Sequence, residues 1–141
     1  MEPNFHDGEY LLTDKVTYRF GQPKKGDVVV FKAPPDFSEE FIKRIVGVPG
    51  DQVAVQNGKI MVNGIQISEA YLPSSFQTYP GRFAAEGQVI SVPQDQYFVL
   101  GDNREHSLDS RNIGLVPKDK ITGRAWLIYW PLNKAGIVKN P

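Results

Sequence analysis

"FIKRIVGVPGD", residues 41–51, admits two folds, and the choice between them sets the reading of the whole chain. As a helix, it would be capped by Asp36 and Ser38, with Phe37, Phe41, Ile42, Ile45 and Val46 as its buried stripe. Lys43 and Arg44 would then lie on the solvated face. As a strand, it carries one lysine into a dry site, because successive residues face opposite ways. Periodicity alone slightly favours the helix.

The flanking sequence favours the strand. Short β-rich runs lie on both sides: "EYLLTDKVTYRF", "GDVVVFKA", "QVAVQNGKIMVNGIQI", "GQVISVP", "QYFVLGD" and "GRAWLIYWP". The 13 glycines and 11 prolines are scattered between them as punctuation and form no linker. Asn57-Gly58 is a strong two-residue hairpin signal, and Asn63-Gly64 offers a second tight turn. The expectation is an all-β fold of antiparallel sheets, folded or barrel-like, in one domain over residues 1–141. Residues 68–87 read as a polar excursion within it.

Composition narrows the function. Lysine plus arginine equals aspartate plus glutamate, 16 each, so no basic excess points to nucleic acid. The absence of cysteine excludes disulfides, thiolate metal sites and a cysteine nucleophile. The two histidines, His6 and His106, are a hundred residues apart, so neither suggests a metal site. No apolar run approaches the roughly 18 residues of a membrane span, and no signal peptide is visible, so the chain as given is expected to be soluble.

"LGDNREHSLDSRNIG", residues 100–114, is the densest polar stretch. A surface loop accounts for its composition. Yet Asp109 and Arg111 are spaced to pair, and Ser107 and Asp109 share a face if the segment is extended. His106 is poorly placed to serve Ser107, since adjacent residues of a strand diverge.

Taken in order, "GDVVVF", "FIKRIVGVPGD", "GDNREHSLDSRNIGLVP" and "GRA" resemble the motif series of type I signal peptidases. These are membrane-anchored serine proteases with a serine–lysine dyad, and the resemblance extends from Met1 to about Ala125. It implies that Lys43 is the general base, that Ser107 hydrogen-bonds and orients it, and that Asp109 supports the site with Arg111 as its partner. Asp102, in the same motif, is placed to pair with Arg44 as structural support. It also implies substrate-pocket walls from Met1, Phe5, Leu11, Val30, Phe41 and Ile42, fitting small side chains at the positions one and three before the cut. No metal or cofactor is implied. A free lysine is neutral in only about one molecule in 2,500 at pH 7, so the base must be desolvated, which lowers an amine's pKa by as much as about 3–5. Phe41, Ile42 and Ile45 are the neighbours expected to exclude water.

The opening "MEPNF" resembles the family segment that follows the nucleophilic serine, with Asn4 for the usual threonine and Phe5 for the usual leucine. The serine is thus expected immediately before Met1, so the chain as given should bind but not cut. The implied parent enzyme removes signal peptides from exported preproteins at the membrane surface, with its catalytic domain on the extracytoplasmic side. The motifs also suit a self-cleaving repressor of the related serine–lysine fold, which would need a DNA-binding domain. A non-catalytic β-module that binds extended peptides by strand addition is a further reading.

Overall fold

A computed structural model describes residues 1–4, 10–14, 21–130 and 136–137, with side chains at 1–4 and 21–125. The strands are β1 (Tyr10–Asp14), β2 (Val28–Ala33), β3 (Glu39–Gly47), β4 (Gln52–Gln56), β5 (Lys59–Val62), β6 (Ile65–Gln66), β7 (Ile90–Ser91), β8 (Gln96–Leu100), β9 (Val116–Pro117), β10 (Ile121–Trp130) and β11 (Gly136–Ile137). The larger sheet runs β1-β10-β2-β3-β8-β9, with β11 beside β10, and the smaller runs β6-β5-β4-β7. All these strand pairings are antiparallel. The all-β antiparallel expectation holds.

Residues 39–47 are strand, so the helix is excluded. Asp36, instead of capping a helix, accepts hydrogen bonds from the backbone N–H and the hydroxyl of Ser38 in the turn that leads into β3. Asn57-Gly58 and Asn63-Gly64 turn with positive φ at both residues (52° and 76°, 55° and 81°), which the right-handed twist of a two-residue hairpin demands. These turns set β4, β5 and β6 side by side with little choice of register.

β8 and the Arg44–Gly47 half of β3 are buried on both faces. Val46, Phe98 and Leu100 pack toward the smaller sheet with Val53, Val55, Ile60 and Val62. Ile45, Tyr97 and Val99 pack the other way with Val29, Phe31 and Val116. The alternation along each strand is therefore apolar on both sides, as a central strand requires. Residues 67–89 contain no strand, only an isolated bridge from Val55 to Glu86.

Candidate active site

β3 pairs with β2 from Glu39 to Arg44, but β8 reaches back only to Leu100, opposite Arg44. Among the described residues, no strand therefore lies along the other side of Glu39–Lys43. Lys43 stands at the closed end of that open edge. It pairs with Val29 across the ladder and shares the face of Phe41 and Ile45. Its Nζ lies 5.5 Å from the centre of the Phe41 ring and donates to Ser107 Oγ at 3.0 Å. Burial pushes the Lys43 amine below its ordinary value; Asp109 and Asp102 oppose the fall, and Arg111 adds to it.

The turn after β8 supplies the lysine's partner. Gly101 follows Leu100, and a Cβ there would stand 2.0 Å from Ser107 Oγ and 3.4 Å from Lys43 Nζ. Only glycine lets the serine settle against the lysine. Asp109 lies behind it, fully buried, accepting from Gly101 N–H at 3.0 Å and from Arg111 Nε and Nη2 at 2.8 Å each. It also caps a short helix, α1 (Ser110–Ile113), by accepting from Arg111 N–H. Burial works against the Asp109 charge, but Arg111, Gly101 and the Ser107 hydroxyl outweigh it and hold the carboxyl below the usual range. Ser107 thus accepts from Lys43 and donates toward Asp109, which fixes the direction of its hydroxyl.

Arg44, one residue on, faces the opposite way and is 1% exposed. It forms a two-bond fork with Asp102, Nε to Oδ1 at 3.0 Å and Nη2 to Oδ2 at 2.9 Å, and donates to Gly26 C=O at 2.9 Å. The Tyr71 ring covers its guanidinium at 4.1 Å. A planar cation with one face stacked and its edge paired can be buried without an unmet donor. Asp102 is fully buried beside it.

The excursion completes these pairs from outside. Arg104 donates to Glu69, to Thr78 Oγ1 at 2.8 Å and to Gly101 C=O at 2.9 Å, and Arg111 Nη1 reaches Tyr79 C=O at 3.1 Å. Burial raises the Tyr71 phenol, which stays neutral and donates to Glu69 Oε2 at 3.0 Å.

The pocket residues expected from sequence divide between two faces. Phe41 lies beside Lys43 and packs edge-to-face with Phe31, 6.0 Å between ring centres. Ile42 turns to the other face, where it meets Met1, Val28 and Ala125. Val30 pairs with Ile42 and so shares that side. Ile42 therefore does not shield the lysine, contrary to expectation, because adjacent strand residues diverge. Phe5 lies outside the described residues, as does the Leu11 side chain. The Leu11 backbone pairs with Ile128. Met1 sits at the site's flank, its sulfur accepting from Asp102 N–H at 3.2 Å. Among the described residues, no three His, Cys, Asp or Glu side chains gather to hold a metal ion.

The sequence pattern of the family described as "Signal peptidase, peptidase S26" matches residues 1–130. The chain belongs to this signal peptidase family. A probable signal peptidase I-2 from Synechocystis is 40% identical over 99% of the chain, and a signal peptidase I from Leptolyngbya laminosa is 36% identical over all of it. The chain spans 63% of the first relative's length and 70% of the second's. The crystal structure of a signal peptidase I from Enterococcus faecalis V583 matches at TM-score 0.58 and 27% identity, covering 74% of this chain and 97% of that one.

Several parts of this signal peptidase site carried no sequence signal. Gly101 is one glycine among 13, and its need appears only when Ser107 folds back against it. Glu69, Tyr71 and Thr78 sit in an irregular stretch whose partners are 26 to 35 positions away for Arg104 alone. Arg104 stood in the polar stretch with no role attached. An arginine two residues past the "GD" of a strand end was its only mark.

Proposed function

We propose that this chain forms the catalytic domain of a serine endopeptidase that removes signal peptides from exported preproteins, with Lys43 as general base. The observation that carries the proposal is an amine depressed by burial, held 3.0 Å from Ser107 at the closed end of an open strand edge. An amine kept neutral at working pH can take a proton from a serine hydroxyl, which an exposed lysine cannot.

The nucleophile is the serine that the family motif sets immediately before Met1. Met1 lies against Asp102 and Ile42, the chain neighbours of Gly101 and Lys43, which supports that serine's reach to Nζ. Lys43 takes the serine proton while the oxygen bonds to the scissile carbonyl carbon. Collapse breaks the C–N bond, and Lys43 returns the proton to the departing amine. Lys43 then takes a proton from water as the water oxygen bonds to the ester carbonyl carbon, and returns it to the serine oxygen as the acyl C–O bond breaks. Ser107 and Asp109 keep Nζ aimed at the reacting oxygen throughout.

The substrate adds as a strand along Glu39–Lys43, so main-chain hydrogen bonds hold it and alternate side chains are read by pockets. Walls from Met1, Val30 and Ile42 on one face and Phe41 on the other are apolar and favour small residues near the cut. A charge there would be desolvated without a partner, at a cost of about 2–7 kcal/mol for even a neutral polar group. The native enzyme works at the membrane surface on the extracytoplasmic side. No helix among the described residues is long and apolar enough to cross a membrane.

The test compares this protein beginning at Met1 with the same protein carrying a serine before Met1, on a signal-peptide substrate in detergent. Cleavage is expected only from the serine-bearing form. Cleavage by both would place the nucleophile elsewhere; binding without cleavage by both would favour a β-module that captures extended peptides at the same edge.

A further inference from the structure

One side chain, Asn4, ties residues 1–4 to the site by two hydrogen bonds. Asn4 Nδ2 donates to Asp102 Oδ2 at 2.6 Å and to Tyr71 C=O at 2.9 Å. Both partners can only accept, so the amide must present its NH2 to both, and the orientation of its carbonyl follows. Asn4 N–H also donates to Met1 C=O at 3.0 Å, closing a turn that makes Met1 and Asn4 one piece. Each anchor is itself fixed. Asp102 is forked onto Arg44, the strand neighbour of Lys43, and Tyr71 lies on the same guanidinium. The path from the start of the chain to the lysine thus runs through Asn4, Asp102 and Arg44 before it reaches the rigid backbone of β3.

We infer that Asn4 is a positioning residue, a two-hydrogen clamp that sets the nucleophile-bearing end of the chain in register with Lys43. This rests on the serine–lysine activity proposed above. This turn and the Met1 packing give a serine before Met1 a fixed reference to the site. Proton transfer requires hydrogen-bond reach, so a nucleophile that wanders by about 1 Å costs on the order of 10²-fold in rate. The clamp needs two donors on one short side chain. Threonine supplies one, leucine none, and aspartate sets a second carboxylate against Asp102.

The experiment uses the serine-bearing protein and its Asn4→Thr and Asn4→Leu variants. Asn4→Leu is expected to lower kcat by about 10- to 100-fold with KM unchanged, and with the pH profile set by Lys43 unmoved. Asn4→Thr should fall between it and the parent. Backbone hydrogen exchange in residues 1–4 and around Tyr71 should speed up in Asn4→Leu while β3 and β8 stay protected. A wild-type kcat for Asn4→Leu, or a loss carried by KM, overturns the clamp. Should the parent protein not cut at all, the proposed activity falls, and exchange rates unchanged by Asn4→Leu would then overturn the clamp on their own.

Discussion

The two halves of β3 share a strand and differ in nearly everything else. From Arg44 to Gly47 it runs beside β8 and is buried, with β2 still paired at Arg44, and its one charge is met by a carboxylate, a carbonyl and an aromatic face. From Glu39 to Lys43 it is paired on one side and half-exposed, and its terminal amine has a single hydroxyl. Two neighbouring cations therefore receive opposite treatment. Arg44 is saturated, which makes it a beam. Lys43 is largely desolvated with few partners, so its charge is costly and its amine is pushed below the ordinary lysine value. The amine is depressed where the sheet stops being complete.

The contrast breaks most visibly at the lysine. In the serine-bearing protein, Lys43→Ala should cut kcat by about 10²–10⁴-fold, the usual worth of a positioned acid–base group, with the far-ultraviolet spectrum unchanged. Near-normal turnover would move the base elsewhere. Arg44→Met should do the reverse, costing about 3–5 kcal/mol in urea unfolding because it leaves the Asp102 charge buried and unpaired. Arg44→Met combined with Asp102→Leu should recover much of that loss; if it does not, the pair is no simple charge match.

Gly101→Ala tests the seam between the halves. Its Cβ would drive Ser107 away from Lys43, and activity should fall by about 10- to 100-fold while urea stability changes little. The smallest effect is a matter of sign. Because the folded lysine has a lowered pKa, the unfolded chain binds more protons between that value and the unfolded one, near 10.4. Stability conferred by the neutral amine should therefore grow as pH rises through that window. The stability of Lys43→Met, relative to the parent, should be highest near neutrality and shrink toward pH 10. Over the same range the parent's kcat should rise as Nζ loses its proton. A parent–variant difference that ignores pH would mean the amine is not desolvated.

Much of the frame was legible because its signals are local. Asn57-Gly58 and Asn63-Gly64 impose positive φ, and a sheet around them turns an ambiguous apolar run at 41–48 into a strand. The ordered motifs named the family. What sequence hid is what depends on distant contact. Nothing in "YLPSSFQTYP" says that Tyr71 will cover Arg44 or that the Tyr79 carbonyl will cap Arg111, since irregular chain carries no period. The division of Phe41 and Ile42 between two faces was legible in principle from strand alternation. The grouping by family motif obscured it. In the sequence Asn4 is marked only as a departure from the usual threonine, because the two acceptors that give it a task lie 67 and 98 positions away.

Those separations also bear on when the site comes into being. Met1 and Asn4 wait for Asp102, made 101 and 98 positions later, and β1 waits for its partners at Arg124–Trp130. At ribosomal speeds that delay is on the order of ten seconds. Throughout it Met1 and Asn4 lack their Asp102 anchor, and Lys43 lacks the turn that presents Ser107. Under the proposed activity, the serine–lysine pair would come together only after the strands that frame it have been translated, so a nascent chain would carry no working protease.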